Sequence, residues 1–292
     1  MIELKGLTKY YGDVIGIKNV GLKVNKGEIF GFLGPNGAGK TTTIRLLLDL
    51  LLPTAGKAFI NGYDCNRESN KVKEEVEYLP GNFTPYSFLS GREYIKFMGG
   101  FYDEKKVEKG FEIAEFLELD ITRKTSEYSS GMKQKLGIIQ SLMADTPLNI
   151  MDEPTSGLDP MIQQKFYKLL EKEKNSGDTI FLSSHILPEV ERICDRVGII
   201  REGELVEVNS VENLKRKRFK VVEVAYESSP GDDFFDREGL EVIETDKKEI
   251  KLRISSNLDK NLHHLTSAPL IDFEAYDPPL EEVFLSYYGD EN

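Results

Sequence analysis

The residues Gly34, Asn36, Gly37, Ala38, Gly39, Lys40, Thr41 and Thr42 fall in one run, G-P-N-G-A-G-K-T-T. Those types at that spacing suit a triphosphate. Glycines let successive backbone N–H groups point inward at an anion, and a helix starting behind them adds its positive dipole end. Lys40 then supplies a fixed positive charge toward the β and γ phosphates, and the Thr41 hydroxyl is a ligand for Mg2+.

An apolar run ending in Asp152-Glu153 offers the other half of such a site. A carboxylate at the end of a core strand can hold Mg2+ near the γ phosphate. Glu153, beside it, is placed to orient and polarise an attacking water. Asn149 interrupts that apolar run and, if buried, needs hydrogen-bond partners that its neighbours do not name. A third element is Tyr128-Ser129-Ser130-Gly131-Met132, followed by Lys133-Gln134-Lys135-Leu136. Ser and Gly at a helix start give free N–H groups, a hydroxyl and a dipole, which together make an anion site; a plain N-cap has the same local pattern.

For these side chains to meet, strands and helices must place them. Ile29 to Leu33 reads as the strand feeding the loop and Thr41 to Leu51 as the helix leaving it. Leu148 to Met151 and Thr179 to Ser183 read as two more buried strands, all three being non-adjacent members of a doubly wound sheet. Ile2 to Val24 alternates apolar residues with Gly-containing turns, as antiparallel strands beside that core do. Residues 1–213 are therefore expected to form a mixed α/β domain. From 214 to 292 the texture changes to short alternating strands, such as Lys220 to Tyr226 and Glu249 to Ile254, with charged turns between them. That predicts a separate small α+β module, with an amphipathic helix over Pro279 to Tyr288.

A chain of 292 residues, 39% hydrophobic and 30% charged, can bury a core in each part. Its net charge of -12 disfavours a broad nucleic-acid surface, which needs clustered Lys and Arg. The basic run Lys215 to Arg218 reads either as solvated linker or as a contact for anionic lipid headgroups. No stretch of about 18 apolar residues could cross a bilayer, and the start M-I-E-L-K-G lacks the pattern of a signal peptide, so the expected location is the cytosol. Cys65 and Cys194, the only cysteines, cannot form a four-thiolate metal site and are expected to be reduced packing residues.

In this order the motifs resemble those of the ATPase subunit of ATP-binding cassette (ABC) transporters, over essentially all of residues 1 to 210. The resemblance makes Gly34 to Thr41 the Walker A motif and Leu148 to Glu153 the Walker B motif. It places Ser129, Gly131 and Met132 in the signature motif and Ser156 to Asp159 in the D-loop, with Asp159 also a nucleotide-site residue. It makes His185, in S-S-H, the switch histidine that holds the γ phosphate, Glu153 and the water, and it makes Tyr11, in K-Y-Y-G-D, the aromatic that stacks on adenine. The implied fold is α/β, a P-loop NTPase of the ABC type: a mixed sheet core, an antiparallel β subdomain and a helical subdomain, followed by the small C-terminal module. The implied catalytic residues are Lys40, Glu153 and His185, the metal ligands Thr41 and Asp152, and the cofactors ATP and Mg2+.

The resemblance further implies a dimer with a second copy or a homologous ATPase subunit, each signature motif closing over the other's phosphate loop. A separate-chain membrane permease would hold the pair at the cytoplasmic face of the membrane, and no nucleic acid is expected. The competing class, a soluble ABC ATPase that remodels nucleic acid or ribosomes, usually carries two cassettes in one chain or a long coiled-coil insertion, and this sequence has neither. A GTP-binding switch is disfavoured because there is no N-K-x-D motif.

Departures from the family pattern are informative. Y-S-S-G-M in place of L-S-G-G-Q is similar to the export-type subfamily, as is the ending P-P-L-E-E-V-F-L-S-Y-Y-G. The module preceding that ending is expected to stabilise or restrain the dimer. Gly81, in Y-L-P-G, stands where the family usually has Gln or Glu, and either a backbone or water contact or neighbouring Asn82 must substitute. The aromatic-rich stretch Phe83 to Phe101 falls where the family receives a permease helix, and internal core is an equal reading of it. His263 and His264 match no motif.

Overall fold

Ile29-Phe30-Gly31-Phe32-Leu33 is apolar throughout and forms a strand in which every residue is buried, the pattern of a strand covered on both faces. A computed structural model, describing residues 1–216, 219–228, 230–246 and 249–276, builds the first part of the chain around it. In chain order the elements are β1 (Ile2–Tyr11), β2 (Val14–Val24), β3 (Ile29–Leu33), α1 (Lys40–Leu47), β4 (Ala55–Ile60), β5 (Tyr63–Asp64), α2 (Ser69–Glu74), β6 (Val76–Leu79), α3 (Gly91–Gly99) and α4 (Glu104–Phe116). There follow α5 (Ser130–Met143), β7 (Leu148–Asp152), α6 (Pro160–Asn175), β8 (Thr179–Ser184), α7 (Leu187–Ile193), β9 (Arg196–Arg201), β10 (Glu204–Ser210), α8 (Val211–Arg216), β11 (Lys220–Tyr226), β12 (Leu240–Asp246), β13 (Glu249–Ile254), α9 (Leu258–Leu265) and β14 (Leu270–Tyr276).

The chain divides into two compact units, Met1–Asn209 and Ser210–Asn292; the boundary expected after residue 213 falls inside α8. In the first unit a six-stranded sheet has the order β10-β9-β3-β8-β7-β6, with β6, β7, β8, β3 and β9 parallel. The expected separation of the three motif strands holds for β3 and β7 only. β8 lies between them and pairs with both, so one strand end touches both halves of the site. A second, antiparallel sheet, β2-β1-β4-β5, carries Tyr11 at the end of β1. A third layer is helical, with α3, α4 and α5 packed on one another.

Packing in the core is aromatic. Phe30 and Phe32 flank Phe181 at 5.9 and 5.5 Å between ring centroids, and all three are fully buried, each worth about 1.5–3 kcal/mol in removed apolar surface. Helix starts are capped as their sequences demand: Ser90 with Glu93 forms a capping box on α3, Asp103 caps α4, Ser129 caps α5, and Asp159 caps α6 ahead of Pro160. The helix expected over Thr41 to Leu51 stops at Leu47. Asp49 turns to φ 55°, and the amides of Leu50 and Leu51 both fold back onto Arg45 O, which terminates the helix.

The second unit is an antiparallel sheet of order β12-β13-β11-β14. Alternation decides its faces: Val222, Val224, Tyr226, Ile250, Leu252 and Ile254 pack with Leu265 of α9, while Glu223 and Lys251 point the other way. His264 stacks on Phe234 at 4.1 Å and its ring contacts Phe234 O, a packing role. The helix expected over Pro279 to Tyr288 lies outside the described residues, as does the end of the basic run Lys215 to Arg218. Among the described residues no helix is long and apolar enough to cross a membrane. Cys65 and Cys194 are free and buried, and burial pushes the Cys65 thiol up to about 12.

Candidate functional site

The phosphate loop is shaped by its glycines. Gly37 and Gly39 take φ of 83° and 108°, which side chains rarely tolerate, and Gly39 starts α1 from that left-handed conformation. Gly34 is held for a different reason: a Cβ there would come within 2.3 Å of Ile200 O. The amide of Gly34 bonds Ser184 O, and Ala38 O accepts from Gly203 N. Neighbouring strand ends thus fix both sides of the loop.

Three side chains meet the loop from β7 and β8. Thr41 Oγ1 donates to Asp152 Oδ2 at 2.8 Å. Lys40, almost fully buried, donates to Gly34 O and Pro35 O at 2.7 and 3.1 Å and lies 3.2 Å from Glu153 Oε1. That Glu153 oxygen is buried without a hydrogen bond, so the Lys40 charge is what compensates it. His185 Nδ1 donates to the other Glu153 oxygen at 2.7 Å. Glu153 itself has φ 49°, the left-handed region that costs a non-glycine residue on the order of 1 kcal/mol or more.

Asn36, Thr41, Asp152, Glu153 and His185 line one open cleft of about 470 Å³, together with Arg45, Tyr78, Pro80, Gly81, Asn82 and Ser156. The position of Gly81 bears on its lack of a side chain. A Cβ there would approach Asp152 O to 3.2 Å, so glycine lets the loop after β6 lie close against the end of β7, and Asn82 comes to the cleft beside it. Tyr78 is held above the ordinary phenol range, up to about 12, by burial and then by the Asp152 charge.

Ser129, Gly131, Met132 and Asp159 do not line this cleft. Ser129 Oγ accepts from Met132 N at 3.3 Å, confirming the expected helix start, and Tyr128 is anchored through its OH to Asp120 O. Gly131 is small because a Cβ there would meet Gly157 O at 2.7 Å. The Asp159 carboxylate accepts from Met161 N and Ile162 N. Tyr11 is half exposed beside the first turn of α1, its OH 3.5 Å from Thr42 Oγ1, with Lys9 over its ring.

Several contacts went unread in the sequence. Gln134 reaches Pro154 O at 2.8 Å, tying α5 to the loop after Glu153. Asn149 finds its partner in Ser141 Oγ at 3.1 Å. Ser183 bonds Asp152, and Ser184 donates to the buried Glu189 at 2.6 Å. Burial raises the Glu189 carboxyl above its usual value, against the lowering effect of the Ser184 bond. The available signal was S-S-H itself, two hydroxyls at the end of an apolar strand.

The oxygens of Thr41 and Asp152 fit Mg2+, which takes one or two protein oxygens plus phosphate oxygens and water rather than a full protein cage. The described residues contain no cluster of three acidic, His or Cys side chains able to hold a metal alone.

Of the aromatics between Phe83 and Phe101, Tyr94 is core at 4% exposure, while Tyr86, Phe88, Phe97 and Phe101 are exposed at 52, 71, 47 and 69%. Tyr86 and Phe97 pack edge to face at 5.6 Å, as do Phe97 and Phe101 at 5.5 Å.

The sequence profile of the family described as "ABC transporter" matches residues 17–156. The bacitracin transport ATP-binding protein BcrA of Bacillus licheniformis is 38% identical over 229 residues, covering 76% of this chain and 74% of that protein. YbhF of Escherichia coli K12, described as a probable multidrug ABC transporter ATP-binding protein, is 34% identical over 220 residues, and the match spans 74% of this chain but only 38% of YbhF. Among solved structures, an ATP-binding subunit of an ABC transporter shares 29% identity with a TM-score of 0.68, covering 74% of this chain and 92% of that one. A dimeric bacterial ABC transporter cassette shares 25% identity with a TM-score of 0.66, covering 72% and 99%.

Proposed function

Because this chain belongs to the family of ABC transporter ATP-binding subunits, we propose that it binds and hydrolyses ATP and that pairing with a second ATPase subunit around ATP drives a separate membrane permease of export type. The observation that carries the reading is the meeting of Lys40, Thr41, Asp152, Glu153 and His185 at one cleft. Loop amides from Gly34 to Thr42 cradle the phosphates, and Lys40 turns from its present carbonyl partners to the β and γ oxygens. Thr41 and Asp152 hold Mg2+, which when bound neutralises charge on the phosphate oxygens. Glu153 accepts the proton of the attacking water as its oxygen bonds to the γ phosphorus, and the bond to the bridging oxygen of ADP breaks. His185, which offers two donors as the imidazolium, holds Glu153 through Nδ1 and turns its other ring nitrogen to the γ phosphate.

Tyr11 offers its exposed ring to adenine. Ser129, Gly131 and Met132, away from their own chain's cleft, are placed to close over a partner's ATP, with Asp159 and the D-loop beside them; ATP favours the closed pair and hydrolysis releases it. The exposed aromatics Tyr86, Phe88, Phe97 and Phe101 support a docking surface for the permease, since contiguous apolar patches mark interaction sites. Through that contact the protein would sit at the cytoplasmic face of the membrane.

Co-purification from solubilised membranes tests the partner. A polytopic membrane protein is expected to accompany the chain and to be lost from a Phe88→Ser, Phe101→Ser variant that keeps its ATPase activity. Recovery of ribosomes in its place would support the remodelling class instead.

A further inference from the structure

β8 ends in two serines whose side chains leave on opposite faces of the sheet. Ser184 faces Glu189. Ser183 faces the cleft residues, because the β7–β8 register sets it directly beside Asp152. It is fully buried, and all of its side-chain bonding goes to two residues of the site. Its hydroxyl donates to Asp152 Oδ1 at 2.5 Å and accepts from Glu153 N at 3.0 Å. Its carbonyl also accepts from Glu153 N, at 3.2 Å.

The consequences differ for the two acids. Asp152 has one oxygen on Thr41 and the other on Ser183, so the pair of bonds defines the rotation of the carboxylate. Glu153 stands at φ 49°, and its amide is gripped by both oxygens of Ser183. That grip holds a backbone conformation which would otherwise relax. It also turns the Glu153 carboxylate toward Lys40 and His185.

We infer that Ser183 is a positioning residue for both acids: it orients Asp152 for the metal and holds the Glu153 backbone in the geometry that aims its carboxylate at water. The inference rests on the reading of Thr41 and Asp152 as Mg2+ ligands. Groups that orient a metal-ligating carboxylate typically govern metal affinity as well as rate. A hydroxyl that merely satisfied a buried strand end would govern stability alone.

The test is Mn2+ binding to the full chain saturated with a non-hydrolysable ATP analogue, followed by the electron paramagnetic resonance signal of free Mn2+. Ser183→Ala is expected to weaken Mn2+ binding by about 10- to 100-fold, with metal-free nucleotide binding changed less than about twofold and Ser183→Thr recovering most of the loss. Mn2+ affinity unchanged in Ser183→Ala, while Asp152→Asn loses it, would overturn the role of Ser183 and leave the site reading intact. Affinity unchanged in both variants would remove Asp152 as a ligand, and this inference with it. Should Ser183→Ala not fold, Ser183→Thr against Ser183→Val makes the comparison at equal volume: tighter Mn2+ binding by the Thr variant is expected, and equal binding overturns the proposal.

Discussion

Lys40 Nζ lies 3.2 Å from Glu153 Oε1, so the cation at the start of α1 and the acid after β7 form a buried ion pair behind the cleft wall. On the proposed function, a phosphate entering the loop would compete with Glu153 for that cation and free Glu153 to face a water. Glu153→Gln removes the competing charge and the base together. Nucleotide binding should be kept or tightened while turnover falls by about 10²- to 10⁴-fold, measured as analogue Kd and kcat on the same preparation. Near-normal turnover would exclude Glu153 as the base.

Lys40→Ala should act at the earlier step, binding itself. Loss of a charge-assisted contact to phosphate predicts about 10- to 100-fold weaker nucleotide binding, read by equilibrium titration on protein whose circular dichroism is unchanged.

Because Ser129 lies away from the cleft whose Glu153 pairs with Lys40 in its own chain, the two should act on one nucleotide only across a dimer. Ser129→Arg and Lys40→Ala proteins, each inactive alone, should regain about one quarter of wild-type ATPase rate when mixed in equal amounts, since half the dimers are then mixed and each carries one intact site. No recovery after confirmed subunit exchange would count against composite sites.

Two glycines, one in the phosphate loop and one lining the cleft, should respond differently to a methyl group. At Gly39, φ is 108° and a Cβ would come within 2.6 Å of Ile17 Cγ2 and 2.7 Å of Gly16 O. Gly39→Ala should therefore cost more than about 1 kcal/mol and abolish nucleotide binding. Gly81 has no positive φ, and its nearest atom would be 3.2 Å away, so Gly81→Ala should stay within about 1 kcal/mol of wild type. Urea unfolding of both variants compares them directly.

Glu189 provides a pH-dependent readout. Its carboxyl is raised in the folded chain by burial, from a usual value of 4.5. Below that value both folded and unfolded chains are protonated, and no penalty arises. Above it the unfolded chain releases the proton first, so wild-type stability declines as pH rises toward the folded value, by at most about 1.4 kcal/mol per pH unit from this group. Gln at 189 does not titrate. The melting temperature of Glu189→Gln should gain on wild type as pH rises above about 4.5; a difference that stays flat with pH would show that the carboxyl is not raised.

How much of this was legible in the sequence depends on how far apart the interacting residues lie in the chain. The phosphate loop was readable because its chemistry is local: glycine conformations, a lysine and a hydroxyl within a few positions of one helix start. Asp152-Glu153 was readable as a strand end for the same reason, and Ser129 as a cap. Asn149 was readable only as a question, since its answer, Ser141, sits on α5. The aromatics near Tyr86 were equally compatible with core and surface, because composition is the same for both; packing buried Tyr94 and left its neighbours exposed. For Gly81 the missing side chain was visible, but its closeness to Asp152 was not.

The sequence alone determined the family, the phosphate loop and the two acids, because those are written in residue type and short spacing. Tertiary structure decided which groups hold them. β8 pairs with β3 on one side and β7 on the other, and only that register brings Ser183 to Asp152 and the Ser184 carbonyl to the amide of Gly34. Such contacts join residues about 30 to 150 positions apart through parallel strand pairing, which needs long crossovers to form at all. No local pattern carries the register.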